Sequence, residues 1–148
     1  MFSSASEAVA GTLLFSNVSK YSERDYNYKY KLPVLVLTIK NNLNRPVTSS
    51  ELDCDVSFTD IDNKRIISEY GRNLMNDFKV IEQGYTSSPI KIYIMDVEEK
   101  ILNVIGNNPI TFKIKVSVSL RTNNKDDGEA IYETIFAPNE YTYLPQWP

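Results

Sequence analysis

Apolar and polar side chains change places with a period of two along several stretches of this chain, and that period belongs to half-buried β-strands. The clearest stretch is 111–120 (TFKIKVSVSL), where Phe112, Ile114, Val116, Val118 and Leu120 share one parity and Lys113, Lys115, Ser117 and Ser119 the other. Leu52, Cys54, Val56 and Phe58 alternate in the same way with Asp53, Asp55, Ser57 and Thr59. Within 88–94, Ile90, Ile92 and Ile94 fall on one side. The stretch 33–40 (PVLVLTIK) is apolar at both parities at first and alternates later, as a strand covered on both faces for half its length would. Further strands are predicted over 11–17, 65–70, around 78–81 and over 131–136. The polar, tyrosine-rich stretch 19–31 reads as a connection leading into an edge strand.

Turn chemistry separates these runs. Asn41-Asn42-Leu43-Asn44-Arg45-Pro46 joins residues that tolerate left-handed backbone to a proline that ends a ladder. Ile61-Asp62-Asn63-Lys64, Gln83-Gly84 and the loop 123–128 (NNKDDG) supply further turns. One segment carries a helical signature. Asp96 is placed to cap the first exposed N–H groups, with Glu99 three residues on as its capping-box partner. Val97, Ile101, Leu102 and Ile105 form one stripe and Gly106 ends it. A helix this short must dock on a sheet to persist. The expected fold is therefore all-β with one short helix: an immunoglobulin- or fibronectin-like antiparallel β-sandwich of about seven strands. It would form one domain over 1–148, with loosely ordered ends over about 1–10 and 138–148.

Composition changes this picture mainly by subtraction. Of 148 residues, 42% are hydrophobic and 24% charged, enough for one real core. The net charge of −3 gives no bulk attraction for phosphate backbones or anionic lipid. Histidine is absent, which removes imidazole-based triads, imidazole acid–base catalysis and the commonest zinc and iron sites. The single cysteine rules out an intrachain disulfide. No stretch approaches the ~20 apolar residues of a membrane-spanning helix. The first fifteen residues have no basic start and no unbroken apolar run. A cytoplasmic location is expected, with export and signal removal as the alternative.

Candidate chemistry is sparse. Cys54 shares parity with Leu52, Val56 and Phe58, so it should face the core as a small hydrophobe. Asp53 and Asp55 stand side by side on the other face, unlike the facing carboxylates of a hydrolase. Asp60, Asp62 and Asn63, and likewise Asp126, Asp127 and Glu129, cluster oxygens that a calcium ion would accept, but at the spacing of ordinary hairpin turns. No phosphate-binding glycine pattern occurs. No cofactor and no metal site are therefore expected.

The most suggestive stretch interleaves Tyr21, Tyr26, Tyr28 and Tyr30 with Lys20, Lys29 and Lys31. Such a pattern could stack unpaired bases, but the net charge opposes it, and an aromatic protein-binding edge is favoured. Tyr141, Tyr143 and Trp147 near the C-terminus suit the same role. The partner-binding candidates are thus Tyr26, Tyr28, Tyr30, Tyr141, Tyr143 and Trp147.

The segment LTIKNNLNRPV (37–47) resembles the strand and turn of the group 2 late embryogenesis abundant proteins, the water-stress-hypersensitive (WHy) domain. Asn41 matches that family's asparagine and Pro46-Val47 its later pair, while Asn42 stands where its first proline belongs. The stretch 88–107 is similar to its strand, short helix and exit, and 111–120 to its long following strand. The resemblance implies a β-sandwich with one helix and non-enzymatic work in stress protection, membrane attachment or protein contact. Its motif defines no functional residues. The expectation is a non-enzymatic binding or structural module with a protein partner, homo-oligomers being compatible with it. The alternatives are an assembly component of a virus or secretion apparatus, and a metal-dependent hydrolase built on the acidic turns.

Overall fold

Strand β4 (Leu52–Asp60) shows how the sequence pattern becomes architecture. Every second residue, from Leu52 through Cys54, Val56 and Phe58 to Asp60, is buried, and those between are exposed or half-exposed. Its neighbour β8 (Phe112–Leu120) repeats the same alternation, and the two run antiparallel in register from Leu52 opposite Leu120 to Asp60 opposite Phe112. With the faces in phase, one apolar surface spans both strands.

The computed structural model describes residues 12–24, 31–61, 65–93, 111–121 and 129–137. Beside β4 and β8 it contains β1 (Leu13–Arg24), β2 (Lys31–Asn41), β3 (Val47–Thr48), β5 (Arg65–Gly71), β6 (Val80–Ile81), β7 (Ile90–Tyr93) and β9 (Ala130–Phe136). All pairings are antiparallel. One sheet has the order β1-β2-β7, a second the order β5-β4-β8-β9, and β3 and β6 form a short ribbon. The fold is an all-β sandwich. Leu13, Phe15, Leu35, Leu37, Ile39, Ile90 and Ile92 from the three-stranded sheet join one core with the inward residues of β4 and β8. Phe58, Phe112 and Phe136 are the largest of its fully buried side chains, with ring centroids 6.0 and 5.9 Å apart along the row. Rings at such offsets are preferred over face-to-face sandwiches.

Four details depart from the sequence reading. Nine strands, rather than about seven, are found among the described residues, because β3 and β6 are too short to show a period. The stretch 19–24 is a strand and not a connection. β1 passes through a bulge between Ser16 and Ser19, with Asn17 at φ 50°, and then pairs on as far as Arg24 opposite Lys31. The inserted residue flips the parity, so the alternation up to Ser16 no longer predicts which residues beyond it face inward. Asp60 does not sit in a turn; it is the last inward residue of β4, 6% exposed. The strand near 78–81 shrinks to Val80–Ile81, with Phe78 buried ahead of it. The predicted helix at 96–105, the loop 123–128 and both chain ends lie outside the described residues.

Strand β2 is buried on both faces as its composition predicts. Leu35, Leu37 and Ile39 face the core, and Val34, on the opposite parity, is also fully buried. The turn after β2 is fixed by Asn41, whose own side chain is completely buried.

Candidate functional site

The six aromatic residues predicted to bind a partner (Tyr26, Tyr28, Tyr30, Tyr141, Tyr143 and Trp147) all lie outside the described residues. Three members of the lysine–tyrosine run are among the described residues: Lys31 opens β2, and β1 sends Lys20 and Tyr21 in different directions. Tyr21 stands on the outer face of the three-stranded sheet, opposite Val34, which in turn pairs with Tyr93. The Lys91 ammonium sits 6.0 Å from the Tyr21 ring centre and 5.0 Å from that of Tyr93. Lys20 points instead to the margin of the sandwich, where its ammonium donates to the carbonyl of Ile135 at 2.8 Å and lies 5.1 Å from the Phe136 ring centre. The first pair makes a surface; Lys20 makes a clamp.

The outer face of the four-stranded sheet is ordered row by row by its register. Gly71, Asp55, Ser117 and Ile131 form one row across β5, β4, β8 and β9; Glu69, Ser57, Lys115 and Glu133 form the next; Ile66, Thr59, Lys113 and Ile135 form a third. Hydroxyls and charges occupy the two central strands, and Lys113 pairs with Glu133 at 3.3 Å. The edge strands instead carry isoleucine: Ile66, Ile131 and Ile135 are 55%, 51% and 47% exposed. A shallow depression of about 600 Å³ crosses this face between Ile66, Thr59, Lys113 and Glu133. Another of about 460 Å³ lies over Gly71, beside Asp55, Glu69, Ser57 and Lys115. Alternation on β4, β8 and β9 makes the exposure of these positions legible, yet the three isoleucines are absent from the candidates read from sequence. A β-branched residue at an outward parity beside a turn is the signal that could have found them.

The two edges of this sheet differ. β9 is closed by the Lys20 clamp from β1. Among the described residues, the ladder of β5 is paired with β4 alone. The Arg72 N–H donates to the Cys54 carbonyl at 2.8 Å, which fixes the phase of the ladder. Tyr70 and Ser68, at the same phase, face β4, so the N–H and C=O of Glu69 and Gly71 point away from the sheet.

The remaining candidates carry less chemistry. Burial pushes the Cys54 thiol up from 9.0 to about 12, which keeps it protonated and inert. Asp62, Asn63, Asp126 and Asp127 lie outside the described residues, and among those described no cluster of acidic or cysteine side chains is arranged to hold a metal ion. Nor, among them, is any helix long and apolar enough to cross a membrane. At one end of the sandwich Arg72 pairs with Asp77 at 3.1 Å and also reaches the Lys91 carbonyl of β7 at 3.4 Å. Burial raises the Asp77 pKa above 3.8, against the pull of Arg72. Arg121 bonds Asp53 at 2.9 Å nearby. Arg72 thus ties the loop after β5 to β7, and Arg121 ties the turn after β8 to β4.

No family model and no curated protein matches this chain. Two solved structures with which it aligns are a β-glucuronidase of Bacteroides uniformis and a protein from Archaeoglobus fulgidus. Against the first the identity is 11% and the TM-score 0.45, with 86% of this chain and 13% of the glucuronidase covered. Against the second the identity is 11% and the TM-score 0.44, with 83% and 96% covered. The chain thus spans only a small part of the glucuronidase's length.

Proposed function

We propose that this domain is a non-enzymatic binding module that works through protein–protein contacts. The observation that carries the reading is the set of exposed isoleucines, Ile66, Ile131 and Ile135, on the edge strands of a sheet face whose centre is solvated. Covering side chains of that size with a partner stabilises the complex by on the order of 1–2 kcal/mol each. Edge strands are where soluble proteins usually place charge rather than branched apolar residues. The Tyr21–Lys91–Tyr93 cluster on the opposite sheet offers a second contact area of amphipathic type. The WHy-like segment over 37–47 adds a stress-protective setting to the same reading, since that family's work is likewise non-enzymatic.

The test uses the full chain as bait in comparative affinity capture, alongside Ile66→Lys and the double variant Ile131→Lys/Ile135→Lys. A partner retained by the parent chain and lost from either variant supports the reading. An identical set held equally by all three baits rejects it. The same isoleucines would also suit a second copy of this chain, as an assembly component would need. Sedimentation separates that case: a fixed oligomer that Ile131→Lys/Ile135→Lys dissociates favours assembly.

A further inference from the structure

We infer that the β5 edge is a strand-addition site for an extended peptide with apolar side chains on one face and arginine or lysine on the other. The inference rests on the binding-module reading and names the place and the chemistry of the partner. The backbone groups of Glu69 and Gly71 point off the sheet and, among the described residues, meet no acceptor or donor. An incoming strand would complete the ladder there, which is how strand addition gains affinity without reading sequence.

Selectivity follows from the groups above and below that ladder. On the outer face Gly71 has no side chain, and a Cβ placed there would have only the Cys54 carbonyl within 4 Å, at 3.9 Å. The gap forms the floor of the depression of about 460 Å³. Asp55 is the direct cross-strand neighbour of Gly71, and Glu69 lies two residues along on the same face. Both are exposed, and neither has an ion-pair partner among the described residues. Lys115, farther in on β8, is the one cation lining the depression among the described residues. A partner residue paired with Gly71 would pass over the glycine and bring a long cationic side chain to Asp55, while one paired with Glu69 would meet that carboxylate directly. An acidic side chain at either position would face two carboxylates. On the inner side the margin of β5 is formed by Ile67 and Tyr70, partly buried apolar residues packed on the core, with Tyr70 stacked on Phe58 at 6.3 Å. The alternate residues of the partner would therefore be apolar. The bulge that sets Ile67 between Ser68 and Ile66 limits regular pairing to the 68–72 end.

The experiment titrates the isotope-labelled full chain with a capped peptide of about seven residues alternating valine with arginine, and with its valine–glutamate counterpart. The expected result is amide shifts confined to 68–72 and slowed exchange of the Glu69 and Gly71 amides with the basic probe. Asp55→Asn/Glu69→Gln, two exposed substitutions that leave the backbone intact, should weaken binding about tenfold. Gly71→Val should fill the notch and weaken it too. Equal binding of the acidic probe, shifts elsewhere, or Glu69 and Gly71 amides already protected in the free chain would each overturn the inference. So would a dimer that Gly71→Val dissociates, since a second copy would then own the edge. A partner lost only on Ile131→Lys/Ile135→Lys would leave the binding-module reading standing and remove this site from it.

Discussion

The side-chain amide of Asn41 donates to the Ile81 carbonyl at 2.8 Å in a place that solvent does not reach. The same amide donates to the Arg45 carbonyl at 2.9 Å, and its oxygen accepts from the Leu43 N–H at 2.9 Å. Its backbone is engaged as well, donating to the Tyr85 carbonyl and accepting from the Gly84 N–H. One residue thus joins the end of β2, the turn 42–46, strand β6 and the Gly84 turn. Replacement by alanine would leave the Leu43 N–H unpaired in a dry site and take from the buried Ile81 carbonyl its side-chain donor. Asn41→Ala should therefore cost on the order of 2–4 kcal/mol, read as a lower urea midpoint with an unchanged slope. Asn41→Asp should be no better, because a carboxylate cannot donate to the two carbonyls.

Glu51 and Asp77 should give the stability profile slopes of opposite sign in acid. The Glu51 carboxylate accepts from the Thr48 N–H at 2.7 Å and lies 3.0 Å from Arg45, and it titrates below its usual 4.5. Its contribution is present above 4.5 and is lost as pH falls through the lower native value. Asp77, raised above 3.8 by burial, binds its proton more tightly when folded. It therefore favours the fold below 3.8, and that gain disappears as pH rises through the native value. Chemical denaturation from pH 3 to 7 should show the Glu51→Gln deficit shrinking toward acid. Asp77→Asn should remove a fall in stability with rising pH. A deficit that does not change with pH in either variant contradicts the assignment.

Cys54 offers a reporter of opening. With its thiol pushed up to about 12 and 4% of its surface exposed, it should react with disulfide reagents at pH 8 only when β4 separates from its neighbours. The labelling rate should follow global unfolding and rise with denaturant as the unfolded fraction does. Cys54→Ala should be mild and Cys54→Ser worse, by about 1 kcal/mol or more, because the hydroxyl would lack a partner in the core.

How much of the fold is legible in the sequence depends on the range over which each signal acts. Alternation in β4 and β8 is set by one solvated and one covered face, so Val56, Phe58, Ile114 and Val116 can be placed in the core directly. The double burial of β2 is equally legible at Val34 and Leu35. The continuation of β1 is not, because a single inserted residue at Asn17 reverses parity and no local composition announces it. Asp60 reads as a turn residue beside Asp62, whereas its own parity with Phe58 indicates the interior, where the structure places it. The open edge of β5 cannot be read at all, since which strand lacks a second neighbour is a property of the whole sheet. The tyrosines that stand out in the sequence belong to segments beyond the described residues, apart from Tyr21.

Lys20 tests whether the two edges of the four-stranded sheet differ by design. Its ammonium occupies the Ile135 carbonyl on β9 and covers the Phe136 ring, so that edge presents a charge where a pairing strand would need an acceptor. Lys20→Met keeps the aliphatic stem on Phe136 and removes the ammonium from the Ile135 carbonyl and from the Phe136 ring. The thermodynamic loss should be small, about 1 kcal/mol, since a cation over one ring and one exposed hydrogen bond contribute little. The loss of protection against self-pairing should be larger. With Ile131 and Ile135 already exposed on that strand, the variant should associate at concentrations where the parent chain does not, seen as a rising scattering signal before any loss of secondary structure. Lys20→Arg, which can still donate to the Ile135 carbonyl and lie over Phe136, should restore the parent behaviour. If Lys20→Met scatters no more than the parent, the β9 edge is guarded by something other than this clamp.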